Sequence, residues 1–161
     1  MVKRYKSWKA LKNQLEDLLC AELKGRVTYF LTRYHKVHNS YGRAAILFDG
    51  KELVCFSWTA MYDQEYEISK LYNDKTSPFA EVREELEKEW DNNCTYCDMD
   101  FLTAALEFTD MPIEKALQSE NSIIRILAVM DRRAGKRTLE KISVDSFPDW
   151  AKQFYKLRLE N

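Results

Sequence analysis

The sequence predicts an α+β domain, with one antiparallel strand cluster in its first third and helices after it. Three observations carry this. Apolar residues recur at helical spacing in the opening twenty residues; the period then shifts to two over residues 26–58; and the remainder returns to helical signals without another run of strands. Strands and helices that occupy separate stretches, instead of alternating, indicate α+β rather than repeated βαβ units.

Ser7 is placed to cap a first helix running to about Cys20, with Trp8, Leu11, Leu15, Leu18 and Leu19 on one face. The segment RVTYFLTRY from Arg26 is β-branched and aromatic and reads as a strand. A turn at Asn39–Gly42 leads to AAILFD, and Asp49-Gly50 is a strong hairpin signal before ELVCFSW. Together these segments make a three-stranded antiparallel meander.

The middle reads as helical and acidic. A helix is expected over residues 63–72, and another from Pro78 to Trp90, with Ser77 as its cap and Val82, Leu86 and Trp90 as an apolar stripe. Asp98 or Asp100 opens a helix through Phe108, and Pro112 starts a short one with Asp110 as its cap. Ser122 begins a strongly apolar helix, IIRILAVM, expected at the centre of the core, with Gly135 marking its end or a bend. A last helix follows Ser146, with Pro148 in its first turn and Trp150, Phe154 and Leu157 on its buried face.

A chain of 161 residues has the size of one domain, expected here to span residues 1–161. At that length it buries roughly two-thirds of the surface its unfolded form exposes, so no staples are required. Hydrophobic residues at 45%, with only 4 Gly and 3 Pro, exclude a disordered or collagen-like chain. Charges interrupt every apolar stretch, so neither a bilayer span nor the apolar core of a signal peptide is present in the sequence. A cytoplasmic location is expected, with no membrane partner. Four cysteines in a reducing compartment are expected to remain thiols, Cys20 and Cys55 as small buried hydrophobes.

Net charge is −1 but unevenly distributed. Residues 1–59 hold 11 Lys and Arg against 5 Asp and Glu, residues 60–120 hold 5 against 16, and residues 121–161 hold 9 against 5. Such segregation either builds patches of one sign or is neutralised when the pieces meet in the fold.

Four features are candidates for chemistry. Cys94-Thr-Tyr-Cys97 supplies half of a tetrahedral zinc site, and His35 and His38 are the remaining donors of the right type. No second C-x-x-C exists, and the separation of the two pairs matches no finger, so no metal and no cofactor are expected. As a redox pair, Cys94 and Cys97 lack a surrounding βαβ pattern, and Asp98 and Asp100 set negative charge beside the thiols. Nucleophilic catalysis is poorly supported: two histidines are the whole imidazole supply, and no nucleophile elbow, phosphate loop or HExxH is present. The uncertain enzyme reading therefore leans to no.

The third feature is the basic run DRRAGKR, in which Arg132, Arg133, Lys136 and Arg137 crowd around Gly135. Arginine forks suit phosphate or carboxylate. The structural reading is that these cations complement a helix C-terminus or bury Asp131 against one arginine. The fourth is an aromatic-basic ribbon of Tyr29, Phe30, Arg33, Tyr34, His35, Lys36, His38, Tyr41 and Arg43, the composition with which sheets stack bases and hold phosphates.

Trp8, Leu11 and Leu15 in the opening helix, Arg33-Tyr34 at a strand end, the hairpin Asp49 to Glu52 and the motif Asp131 to Leu139 (DRRxGKRxL) resemble a family of small uncharacterised bacterial proteins. The resemblance implies a bacterial or phage-borne cytoplasmic protein and brings no activity with it.

The leading expectation is a non-catalytic interaction protein, an immunity-type or regulatory adaptor, binding a protein partner through a charged surface. The other is a nucleic-acid or nucleotide-phosphate binder. Arg33, Lys36, Arg132, Arg133, Lys136 and Arg137 are the binding residues expected, all six for the nucleic-acid reading and the 132–137 cluster for the adaptor.

Overall fold

A computed structural model describes residues 7–33, 42–57 and 94–161. Their order is helix α1 (Trp8–Leu18), strands β1 (Val27–Arg33), β2 (Gly42–Phe48) and β3 (Lys51–Ser57), then helices α2 (Asp98–Thr109), α3 (Ile113–Leu117), α4 (Ser122–Met130) and α5 (Lys136–Leu139), a 3-10 turn at Val144–Ser146, and helix α6 (Asp149–Glu160). This is the α+β arrangement expected: an N-terminal helix, an antiparallel meander β1-β2-β3, and a mainly helical C-terminal part. The helices expected at 63–72 and 78–90 lie outside the described residues, as do residues 39–41 of the expected first turn.

The Ser7 Oγ accepts from the Ala10 N–H at 3.2 Å, satisfying one of the donors a helix start leaves open. Leu11 and Leu15 are buried, and Trp8 and Leu18 pack at the margin. In the sheet, Val27 pairs with Phe48 and Arg33 with Gly42, while Ile46 pairs with Val54. Asp49 and Gly50 both have positive φ, 49° and 76°, the left-handed pair of a two-residue hairpin whose twist matches its strands. A bulge between Ile46 and Leu47 adjusts the register ahead of that turn.

The inner sheet face sends Val27, Tyr29, Ala44, Ile46, Val54 and Phe56 into the core. Phe101 of α2 is the keystone: its ring stacks on Phe56 at 5.1 Å and on Tyr29 at 6.3 Å, and meets Trp8 edge-on at 6.2 Å. Helix α4 is buried along nearly its whole length, as its apolar sequence requires, and packs against α2, α3 and α6. Gln153 of α6 donates to the Leu53 carbonyl of β3 at 2.9 Å, fastening the last helix to the sheet.

Helix boundaries differ from the sequence expectation where several polar residues compete. Cys97, not an aspartate, occupies the N-cap of α2, because the Asp100 carboxylate reaches back to the Cys97 N–H at 2.8 Å. Asp110 closes α2 instead of opening α3, and Pro112 holds the α3 N-cap. Asn121 caps α4, its Oδ1 accepting from the Ile123 N–H at 2.9 Å. Gly135 neither ends nor bends α4, which stops at Met130, but precedes α5. Cys20 is buried as expected, whereas Cys55 is only half-buried.

Candidate binding surface

The DRRAGKR segment follows α4 as an anchored turn. The Cys20 N–H donates to the Met130 carbonyl at 2.9 Å and the Arg132 N–H to the Leu18 carbonyl at 2.8 Å, forming a short antiparallel bridge between Leu19 and Asp131. Asp131 is 1% exposed. Its carboxylate accepts from the Arg133 backbone N–H at 2.7 Å, and from the guanidinium through Nε at 3.0 Å and Nη2 at 2.8 Å. Arg133 Nη1 also donates to the Met111 carbonyl at 3.2 Å, and its guanidinium lies 5.5 Å from the Phe108 ring centroid. The hydrogen bonds that Arg133 donates to Asp131 raise the Arg133 pKa above its ordinary value. Arg133 is thus the counter-ion of a buried carboxylate and holds the turn.

A second arginine holds the turn from the other side. Arg158, 5% exposed on α6, donates through Nη2 to the Ala134 carbonyl at 3.3 Å, and its Nη1 lies 3.9 Å from Glu22 Oε2. Lys136 adds a weaker electrostatic pull on the same Glu22 carboxylate. Sequence reasoning missed Arg158. The signal for it was its place at i+4 from Phe154, on the apolar stripe of the last helix.

What remains of the motif points outward. Arg132, Lys136 and Arg137 are exposed. Among the described residues none of the three has a carboxylate within ion-pairing distance. The structure therefore divides the motif: Asp131 and Arg133 fix the turn, and the other three cations stand on it. Arg33 ends β1, its backbone paired with Gly42, and is not part of this turn; Lys36 lies outside the described residues.

Among the described members of the aromatic-basic ribbon, Tyr29 and Phe30 face opposite sides of the sheet. Strand alternation sends Tyr29 into the core at 3% exposure and leaves Phe30 at 41% on the opposite face. Burial, followed by the charges of Glu16 and Asp131, pushes the Tyr29 phenol up from its ordinary value. Arg43 is engaged by Glu52 and lies over the Phe30 ring at 5.6 Å. Tyr34, His35, Lys36, His38 and Tyr41 lie outside the described residues.

Around the cysteine pair, burial pushes the Cys94 thiol up to about 12, and Cys97 moves in the same direction for the same first reason. Asp100 contributes to both upward shifts, as the sequence suggested. Burial thus disfavours the thiolate at both positions, the form that attacks a disulfide or ligates a metal. Among the described residues no group of three His, Cys, Asp or Glu comes together to hold a metal, and His35 and His38 fall outside them.

A further feature escaped sequence reasoning. Two cavities of about 580 and about 600 Å³ meet at Glu120, Arg125 and Ser146. Arg125 donates to the Ser146 carbonyl at 2.8 Å and to its hydroxyl at 2.7 Å, while its guanidinium lies 3.8 Å from the centre of the Phe147 ring. Its Nε is buried without a partner, and burial lowers its pKa. The signal was a single cation inside the otherwise apolar IIRILAVM.

An N-terminal helix on a three-stranded meander, closed by helices that anchor a basic turn, defines the class of protein. A family model covers residues 7–159, and the chain belongs to the SF0329 protein family. No curated protein and no solved structure matches it. Among the described residues, no helix is long and apolar enough to cross a membrane.

Proposed function

We propose that the protein is a non-catalytic adaptor of the bacterial cytoplasm, of the immunity or regulatory type, that holds an acidic protein surface through Arg132, Lys136 and Arg137. The observation that carries this reading is the division of the basic motif. One arginine is consumed in anchoring the turn, while three cations are left exposed on it with no carboxylate within ion-pairing distance among the described residues. Rigid presentation favours recognition, because a pre-ordered loop loses less freedom when a partner docks. Exposed cations steer an oppositely charged partner and fix its orientation.

The test is a pull-down from native extract with wild type and with the triple variant Arg132→Glu, Lys136→Glu, Arg137→Glu, at two salt concentrations. Partners captured by the wild type and lost by the variant, with yield falling as salt rises, support the reading. The same partners at the same yield for both proteins refute it. Labelled DNA and RNA are titrated alongside. Binding there with a steep salt dependence would transfer the same three residues to nucleic-acid recognition.

A further inference from the structure

The cavity of about 580 Å³ carries both signs of charge without internal neutralisation. Arg125 and Ser146 line one part of it, and Glu120 and Asp145 are both exposed along its wall. Among the described residues, no ion pair joins Arg125 to either carboxylate, although all three border one space. The reason is geometric: Ser146 takes one N–H from each terminal nitrogen of Arg125, at 2.8 and 2.7 Å, and Phe147 supports the guanidinium. The Ser146 hydroxyl in turn donates to the Ser143 carbonyl at 2.6 Å, so the clamp is itself held. Each terminal nitrogen of a guanidinium bears two hydrogens, leaving one on each for a further acceptor.

An aromatic pair interrupts the mainly polar lining of this cavity. Tyr96 and Trp150 meet edge to face at 6.0 Å, and Trp150 is braced from the core by Phe56 at 6.0 Å. A space within the roughly 300–1,000 Å³ of small-molecule sites thus offers a fixed cation, two anions and one aromatic pair. A simple anion would be repelled by Glu120 and Asp145, and a simple cation by Arg125. A ligand with a carboxylate and an ammonium on neighbouring atoms satisfies both.

We infer that this cavity binds a free α-amino acid with an aromatic or branched apolar side chain. Its carboxylate meets Arg125, its ammonium meets Glu120 and Asp145, and its side chain rests on Tyr96 and Trp150. The site is separate from the basic turn, so it stands or falls independently of the adaptor reading.

The experiment is ligand-observed saturation-transfer NMR on the full chain with L-phenylalanine, L-tryptophan and L-leucine. Two single-charge analogues, 3-phenylpropionate and 2-phenylethylamine, are run beside them. The expected result is saturable binding of at least one amino acid, with both analogues weaker by about tenfold or more. The exposed pair Glu120→Gln with Asp145→Asn should weaken the amino acid by a similar factor while leaving the melting temperature unchanged. Arg125→Gln should abolish binding, and if that variant fails to fold, the analogues and the carboxylate pair still decide. Absence of saturable transfer for all three amino acids overturns the inference. So does 3-phenylpropionate binding as tightly as phenylalanine, or full retention of binding by the carboxylate pair.

Discussion

Replacing Arg133 by glutamine removes the guanidinium from a carboxylate whose side chain is fully buried, while the arginine itself is 34% exposed. Three charge-assisted contacts to Asp131, two of them from Nε, and one bond to the Met111 carbonyl are lost together. Breaking a fully buried pair by deleting one partner costs ~3–5 kcal/mol. Water reaches this pair from the arginine side, and the Arg133 backbone N–H still donates to Asp131, so the estimate falls to ~2–4 kcal/mol. For a domain of this size that lowers the melting temperature by roughly 5–15 °C. Arg132→Gln is the internal control. It removes the same charge one residue earlier, from an exposed side chain, and should stay within ~0.5 kcal/mol of wild type. Urea unfolding followed by tryptophan fluorescence measures both. A cycle with Asp131→Asn should return a coupling of at least ~1 kcal/mol, since the two side chains are in contact. Equal stability of Arg132→Gln and Arg133→Gln, or zero coupling, would refute the division of the motif.

Gly42→Ala should cost ~1–3 kcal/mol, because the added Cβ would fall 2.6 Å from Asp98 Cγ and 3.1 Å from the Thr32 carbonyl oxygen; an unchanged thermal melt would contradict this. Tyr155→Phe leaves the Leu139 carbonyl without the hydroxyl that donates to it at 2.7 Å, so a loss of ~1–2 kcal/mol in denaturant unfolding is expected. Cys94 and Cys97 should be alkylated at neutral pH about tenfold or more slowly in the folded protein than in urea, as read by mass spectrometry. Labelling of either at the unfolded rate would contradict the protection of these thiols by burial. The sign for stability follows from the raised Cys94 pKa. This contribution is intact below the ordinary value of 9.0, where both states hold the proton, and drains away as pH rises toward about 12.

The fold was legible because its signals are local and periodic. Ser7 before a Leu11–Leu15 stripe, alternation through Val27 and Tyr29, and Asp49-Gly50 between two apolar runs each specify one conformation. Caps were less legible, since Cys97, Asp98 and Asp100 compete for one helix start and the winner depends on which side chain reaches back. The burial of Asp131 against an arginine was readable as an option, but nothing in DRR says which arginine. That choice comes from the Leu19–Asp131 bridge, a contact across more than a hundred residues. Arg125 and Arg158 were overlooked for a related reason. A periodicity argument counts arginine as polar, whereas these two use apolar stems and specific carbonyls to occupy a half-buried position at Arg125 and a buried one at Arg158.

The most direct test of the divided motif measures stability and partner capture on the same two variants. Arg132→Glu, Lys136→Glu, Arg137→Glu should melt like the wild type and lose its partner. Arg133→Gln should melt several degrees lower yet capture that partner wherever it remains folded. The reverse pattern, a destabilised triple variant with full capture beside a stable Arg133→Gln that binds nothing, would contradict the account.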